Sequence, residues 1–189
     1  MWRLAILFVV LLLTGPAPAS ATPSDPERDS PIYYNPATKS YFQLVWAPVG
    51  YSGRGKDLHE INWGWSNNVA RSRVYKGVRG RLAVVKDKAT NDFLRDTFHT
   101  IGYVWVGLRY WCGVRRLQWT TGEVLPLDGY ENWDPNWNRT SQGKGCTFGY
   151  SFDYTSVAYT PYNEGFRWTT WGYAKEFYHF FVEYPTGKE

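Results

Sequence analysis

Residues 102–137, GYVWVGLRYWCGVRRLQWTTGEVLPLDGYENWDPNW, decide the fold of this 189-residue chain. An apolar run around Trp105-Val106-Gly107-Leu108 is followed by an aromatic hairpin that ends near Trp119, and then by Asp134-Pro135-Asn136. Aromatic and β-branched runs favour strands, whereas Asp before Pro and Asn after it are typical of turns. The stretch therefore predicts a strand, a hairpin and a polar loop.

Two helices and several strands are predicted around this stretch. Residues 65–76 place Trp65, Val69 and Ala70 on one helical face, and Asp87 can cap a second helix. Short aromatic and β-branched runs elsewhere favour strands. They lie at residues 32–45, 81–85, 146–159, 166–171 and 179–184.

Taken in order, these motifs resemble those of the C-type lectin-like domain family. The family's Trp-Ile-Gly-Leu strand and Trp-x-Trp-x-x-Gly hairpin are similar to residues 105–108 and 118–122. Its Asn-Trp pair and its Glu-Pro-Asn or Gln-Pro-Asn turn are similar to residues 132–133 and 134–136. The resemblance spans roughly residues 32–184. It implies an α+β fold in which two helices pack on small antiparallel sheets beside a long loop region.

Aromatic residues are abundant, and most of the 11 Trp residues fall between positions 105 and 171. Trp105, Trp119 and Trp168 occupy strand positions that the family buries, so we expect them in the core. Trp133 and Trp137 instead flank the Pro turn. Aromatic rings on loops can stack on the flat CH face of a sugar ring, so these two are the candidates for ligand contact.

The N-terminal segment has the features of a secretory signal. An apolar run at residues 4–13 precedes the small residues Ala19-Ser20-Ala21, and it is shorter than the roughly 18 residues needed to span a bilayer. We expect a secreted or periplasmic protein with no membrane span. Its predicted segments are a signal peptide at 1–21, a disordered leader at 22–30, a C-type lectin-like domain at 31–185 and a tail at 186–189.

Charge and motif content exclude several function classes. The net charge of +4 is mild, and we expect no nucleic-acid partner. His59, His99 and His179 have no zinc-ligand spacing, and the chain has neither a nucleophile elbow nor a phosphate loop. The sequence therefore predicts a binding protein rather than an enzyme. The sequon Asn138-Arg139-Thr140 would carry a glycan in a eukaryotic host.

The two Cys residues differ from the four that the family usually has. Cys146 stands at a family position, before the strand that follows the Pro turn. Two Cys in a secreted chain favour pairing, so we predict a disulfide between Cys112 and Cys146. This bridge would either hold the Trp-rich loop in place before a ligand binds or only stabilise a small fold.

The resemblance implies a site for calcium and sugar at the Pro turn. In sugar-binding members, the acid and Asn of this turn bind Ca²⁺ together with the Asn and Asp of a later Trp-Asn-Asp strand. Asp134 and Asn136 match the turn and are the candidate metal ligands. Thr169 and Thr170 replace the later pair, and neutral hydroxyls are poor calcium ligands. Lys144 also stands where the family often has an acid, so calcium dependence is doubtful.

We therefore predict carbohydrate recognition by the Trp-rich long loop, through Glu131, Trp133, Asp134, Asn136 and Trp137. Two alternatives remain open. The Pro turn can be an ordinary turn without a ligand. The loops can instead belong to a protein-binding module, used in adhesion or recognition of an extracellular protein, with neither a sugar nor a metal site. Trp-, Tyr- and Arg-rich surfaces are typical of such interfaces.

Overall fold

Two α-helices and ten β-strands form the part of the chain that the computed structural model describes, which is residues 28–47, 62–137, 146, 154–172 and 175–189. The helices are α1 (Trp63–Ser72) and α2 (Lys88–Phe98), and a short 3-10 helix covers Tyr162–Glu164. The strands are β1 (Tyr33–Asn35), β2 (Ser40–Trp46), β3 (Val74–Tyr75), β4 (Val78–Arg79), β5 (Arg81–Leu82), β6 (Val104–Trp111), β7 (Arg116–Trp119), β8 (Tyr154–Tyr159), β9 (Trp168–Gly172) and β10 (His179–Tyr184).

A mixed eight-stranded sheet lies at the centre. Its strand order is β1-β2-β10-β6-β8-β9, with β5 also paired to β10 and β7 to β6. All these pairs are antiparallel except β10 with β6, which run parallel at His179↔Val104 and Phe180↔Trp105. Strands β3 and β4 form a separate two-stranded sheet. The predicted α+β, C-type lectin-like architecture is confirmed.

The sheet is buried on both faces. One face carries Leu108 and Trp119 towards a core shared with α2, and the other carries Trp105 towards α1. Trp105 and Trp168 are 0% exposed and Trp119 is 2% exposed, which confirms the prediction for all three. Such large apolar side chains contribute about 1.5–3 kcal/mol each on burial. The first face is also the one next to the Pro turn.

Helix α1 begins where Asn62 caps it and ends four residues earlier than predicted. The Asn62 side chain accepts a hydrogen bond from the backbone N–H of Trp65 at 3.0 Å. The buried aromatic residue of this helix is Trp63, whose indole N–H donates to the Val106 carbonyl at 2.6 Å. The predicted continuation to residue 76 is wrong, because Lys76 and Gly77 adopt positive φ and turn the chain between β3 and β4.

A buried carboxylate joins β10 to its neighbours. Glu183 is 3% exposed. It accepts hydrogen bonds from the Ser40 hydroxyl at 3.1 Å, from the Arg81 guanidinium at 2.9 and 3.0 Å, and from the Val84 backbone N–H at 3.1 Å. The charge is therefore paired and its lone pairs are used, which is the arrangement a buried ion needs. No helix among the described residues is long and apolar enough to cross a membrane.

Candidate functional site

The Pro turn is attached to the sheet through β9. The backbone N–H of Trp168 donates to the Asn132 carbonyl at 2.7 Å, and the backbone N–H of Asp134 donates to the Trp168 carbonyl at 2.9 Å. Trp133 thus forms a parallel bridge with Trp168. Residues 132–134 therefore run along the first residue of β9, and this fixes where the turn starts.

Asn132 anchors the base of the turn inside the protein. It is 7% exposed, and its amide donates to the Asn91 side-chain oxygen and to the Phe166 carbonyl, each at 2.8 Å. Its own side-chain oxygen accepts from Arg167 at 2.5 Å, while Asn91 also accepts from the Tyr159 hydroxyl at 2.7 Å. The sequence motif contained Asn132, but the contact with α2 could not be seen from its spacing.

The turn itself has ordinary turn geometry. One carboxylate oxygen of Asp134 accepts from the backbone N–H of Asn136 at 2.8 Å. The Asp134 carbonyl accepts from the backbone N–H of Trp137 at 2.8 Å. This is the local hydrogen bonding for which Asp is favoured at such positions. Pro135 and Asn136 are exposed, and Asp134 is half-buried, so the side chains of the turn face solvent only in part.

The two Trp residues that flank the turn stack on each other. Their rings lie 3.3 Å apart between centroids at an interplanar angle of 19°. Trp133 also packs edge-on against Trp168 at 5.3 Å. Trp137 donates its indole N–H to the Thr170 hydroxyl on β9 at 2.9 Å. Trp133 is thus enclosed between two rings, whereas Trp137 lies outermost, remains partly exposed, and is fixed in orientation.

The structure brings four of the five predicted ligand-binding residues together at the end of the long loop. Trp133, Asp134, Asn136 and Trp137 are within one turn, and Glu131 is a half-buried residue of the segment that leads into it. Sequence reasoning missed Thr170 as the residue that orients Trp137. The sequon at Asn138 lies outside the described residues.

The residues at the turn do not fit the family's calcium site. Asp134 uses one carboxylate oxygen within its own turn, and Thr170 is neutral and already accepts the indole proton of Trp137. Calcium takes six to eight oxygen ligands, several of them anionic. Across the described ranges, no cluster of three or more His, Cys, Asp or Glu side chains could hold a metal ion. Lys144 lies outside the described residues.

Two tyrosines pack against Trp168, the β9 residue to which the turn is bridged. Burial raises the pKa of Tyr130 to about 12 and raises the pKa of Tyr159 well above its ordinary value. Both hydroxyls therefore stay protonated at neutral pH, and the rings pack edge-on against Trp168 at 5.7 and 6.3 Å. The surroundings of Trp168 on this side are therefore neutral and aromatic.

The predicted disulfide is confirmed. Cys112 and Cys146 are bonded, with their Cα atoms 5.9 Å apart and 34 positions apart in sequence. Cys112 follows β6 and is 8% exposed in the core. The bridge thus ties residue 146, beyond the Pro turn, back to the central sheet. Both sides of the long loop are held, one by the sulfur link and the other by β9.

The mixed sheet, the two helices and the long loop with its Pro turn define a C-type lectin-like fold. Residues 60–151 match the family model of the lectin C-type domain. The chain therefore contains a C-type lectin-like domain. This family is generally one of non-enzymatic binding domains, whose members typically bind carbohydrate or protein.

Several solved structures of low sequence identity are similar to this one. The cow C-type carbohydrate-recognition domain of CD23, solved in the presence of a GlcNAc2Man3 oligosaccharide, is 16% identical, with a TM-score of 0.50 over 77% of this chain and 87% of that one. The lectin CEL-I from Cucumaria echinata is 16% identical, with a TM-score of 0.49 over 65% of this chain and 81% of that one. A calcium-independent type II antifreeze protein is 19% identical, with a TM-score of 0.44 over 65% of this chain and 78% of that one. No curated protein matches the sequence.

Proposed function

We propose that this chain is a metal-independent glycan-binding protein whose sugar contact is the outer part of Trp137. The observation that carries the proposal is the placement of this ring. It is partly exposed and lies next to the exposed side chain of Asn136, and two contacts hold it: the stack on Trp133 and the hydrogen bond to Thr170.

An aromatic ring that is already fixed suits a sugar. A pyranose offers an apolar CH face that packs on an indole, and its hydroxyls need polar partners at the edge of the ring. Asn136 supplies an amide beside Trp137, and Asp134 has a second carboxylate oxygen that its turn contact at 2.8 Å does not use. Since the ring is oriented before a ligand arrives, binding costs little side-chain ordering. None of these contacts needs a metal ion.

The test is a glycan array probed with the protein in calcium and then in chelator. We expect equal binding in both conditions, because none of the contacts proposed for the sugar needs a metal ion. Trp137→Ala should abolish the signal, and Thr170→Val should weaken it because the ring loses its fixed orientation. Tyr33→Ala is the matched control. It removes an aromatic residue that is 39% exposed on β1, at the opposite end of the strand order from β9. A signal that survives Trp137→Ala, or that chelator removes, would contradict the proposal.

A second candidate function is protein recognition by another part of the long loop. Leu127 is 85% exposed and Val124 is 44% exposed, and apolar side chains on a loop are typical of protein contacts. This function predicts binding to cell surfaces that protease treatment of the cells removes and that Leu127→Asp weakens, with Trp137→Ala unchanged. Loss of binding after enzymatic deglycosylation of the cells would favour the glycan instead.

We also infer that the protein is exported. A disulfide between Cys112 and Cys146 is typical of chains that fold in an oxidising compartment. The predicted signal peptide at residues 1–21 is consistent with that placement. N-terminal sequencing of the protein recovered from the medium or periplasm tests it. We expect residue 22 as the first residue, and an intact Met1 in a cytosolic fraction would contradict the inference.

A further inference from the structure

A row of unpaired polar groups crosses the face of the sheet that lies opposite the Pro turn. Arg109 on β6 pairs with Ser156 on β8, and Ser156 pairs with Trp171 on β9. Directly paired residues point to the same face of a sheet. The Arg109 Nε, the Ser156 Oγ and the Trp171 Nε1 are all buried, and none has a hydrogen-bond partner among the described residues. We call these three residues the Arg109 row.

Aromatic rings surround the cation of this row. The guanidinium carbon of Arg109 lies 4.5 Å from the ring centroid of Trp63, 4.4 Å from that of Trp111 and 5.0 Å from that of Tyr154. Burial lowers the pKa of Arg109. Within the described ranges, no carboxylate forms an ion pair with it. Tyr154 accepts a hydrogen bond from the guanidinium, but a neutral hydroxyl supplies no counter-charge, and the Nε–H has no acceptor among the described residues.

The chemistry of the row selects an acceptor. Arg and Trp side chains can only donate hydrogen bonds, and a Ser hydroxyl can do so. A buried donor without a partner is unfavourable, and a partly desolvated cation without a counter-charge is more so. A ligand that brings oxygen acceptors and a negative charge would satisfy both. A carboxylate fits best, because its two oxygens match the edge of a guanidinium.

The surroundings indicate what carries the carboxylate. Trp111 and Tyr154 are partly exposed beside Arg109, so the cluster reaches the surface with aromatic rings. The Trp111 Nε1 is a further buried donor with no partner in the described part of the chain. We propose that the Arg109 row binds the carboxylate of an acidic sugar, with Trp111 and Tyr154 contacting the sugar ring. The inference shares only its ligand class with the proposed function, because Thr170 and Trp171 follow each other on β9 and so point to opposite faces.

The test is a titration of the full chain with galacturonate, followed by the indole N–H signals in a proton–nitrogen correlation spectrum. Galactose is the neutral control of the same ring shape, and acetate is a carboxylate without a ring. We expect galacturonate to shift the indole signals of Trp111 and Trp171 and to bind at least 10-fold more tightly than either control. Equal affinity for galactose would overturn the charge argument. Equal affinity for acetate, or tighter binding of a Glu-rich peptide, would overturn the proposal that the carboxylate belongs to a sugar.

Two variants test the residues of the row. Arg109→Gln should lower galacturonate affinity at least 10-fold, and Arg109→Lys should rescue it only in part, because an ammonium lacks the planar fork. Because three rings pack on Arg109, its substitution can also disturb the fold. Ser156→Ala is therefore a second variant, which keeps the fold. Its buried hydroxyl has no partner among the described residues, so its removal should leave the thermal midpoint unchanged or higher and weaken galacturonate several-fold. Wild-type affinity in Ser156→Ala and in a folded Arg109→Gln would overturn the inference.

Each of the two proposed sites can be refuted without refuting the other. If the Arg109 row is wrong and the Trp137 site is right, Arg109→Gln keeps its signal for neutral glycans on the array and galacturonate shows no preference over galactose. If the reverse holds, Trp137→Ala still binds galacturonate with the wild-type indole shifts, and no neutral glycan on the array depends on Trp137.

Discussion

Breaking the hydrogen bond between Trp137 and Thr170 should loosen the Pro turn from β9 while leaving the sheet folded. Two substitutions remove one partner each and preserve most of the packing. Trp137→Phe keeps an aromatic ring to stack on Trp133 but loses the indole N–H. Thr170→Val keeps the β-branched shape on β9 and loses the hydroxyl. Together they form a double-mutant cycle for a single contact of 2.9 Å.

The magnitude follows from the nature of this contact. A neutral, partly buried hydrogen bond contributes about 0.5–1.5 kcal/mol, so we expect each single variant to lose about 1 kcal/mol of unfolding free energy. Trp137→Phe should lose somewhat more, since the smaller ring overlaps Trp133 less. The double variant should lose less than the sum of the singles. The expected coupling free energy is about 1 kcal/mol.

Urea unfolding followed by Trp fluorescence measures these free energies, and the cycle is run once in calcium and once in chelator. The coupling free energy should be the same in both conditions, because the indole N–H of Trp137 donates directly to the Thr170 hydroxyl. A coupling below about 0.3 kcal/mol, the usual limit of additivity, would show that the contact does not hold the turn. A coupling present only in calcium would refute the conclusion that the turn is fixed without a metal.

Three further predictions concern the scaffold. Reduction of the Cys112–Cys146 disulfide should lower stability by about 2–4 kcal/mol, which a lower thermal midpoint in reductant would show. The Cys112→Ser, Cys146→Ser double variant should have the thermal midpoint of the reduced protein, and reductant should not change it. Glu183→Ala should cost about 1–3 kcal/mol, because it leaves the Val84 N–H and the Ser40 hydroxyl without their buried acceptor, while Arg81 is 30% exposed and can be solvated. Exposed Glu123→Ala should shift the urea midpoint little, and equal effects would contradict the role of Glu183. Burial lowers the pKa of His179 below that of an ordinary histidine. The unfolded chain therefore takes up a proton at higher pH than the folded one, and stability should fall as the pH drops below about 6.5. His179→Phe should flatten the dependence of the thermal midpoint on pH between 7 and 5.5, and an unchanged slope would show that His179 does not cause it.

Features that depend on local pattern could be predicted from the sequence. The burial of Trp105 and Trp119 followed from strands that carry large apolar side chains, and their exposures of 0% and 2% agree. Asp87 was predicted to cap α2, and its side chain accepts from the backbone N–H of Thr90 at 2.7 Å. Cys112 and Cys146 were paired correctly because they are the only Cys residues in the sequence. In each case a short-range rule or a forced choice settled the answer.

Features that depend on partners distant in sequence could not be predicted. The sequence marks Trp137 as a candidate for stacking, but it could not show that one face of the ring packs on Trp133 or that its N–H donates to a residue 33 positions away. Helix α1 ends at Ser72 because the residues after it pair as β3 and β4. This strand pairing outweighs the helical periodicity of the sequence. Arg109 is the single cation inside the apolar run of β6. Its charge needs compensation on the buried face that it shares with Trp63.

The pairing of residues 132–134 with Trp168 has a consequence for how copies of this chain meet. Strand β9 is the last in its sheet, and an open last strand is a template on which a strand from another molecule can add. The segment ahead of the Pro turn takes up the backbone groups of Trp168, and Pro135, which has no N–H to donate, stops it from extending along the strand. This segment therefore keeps the backbone groups of the first residue of β9 from a strand of another molecule. We expect substitutions that free the segment to expose those groups and to favour dimers and aggregates.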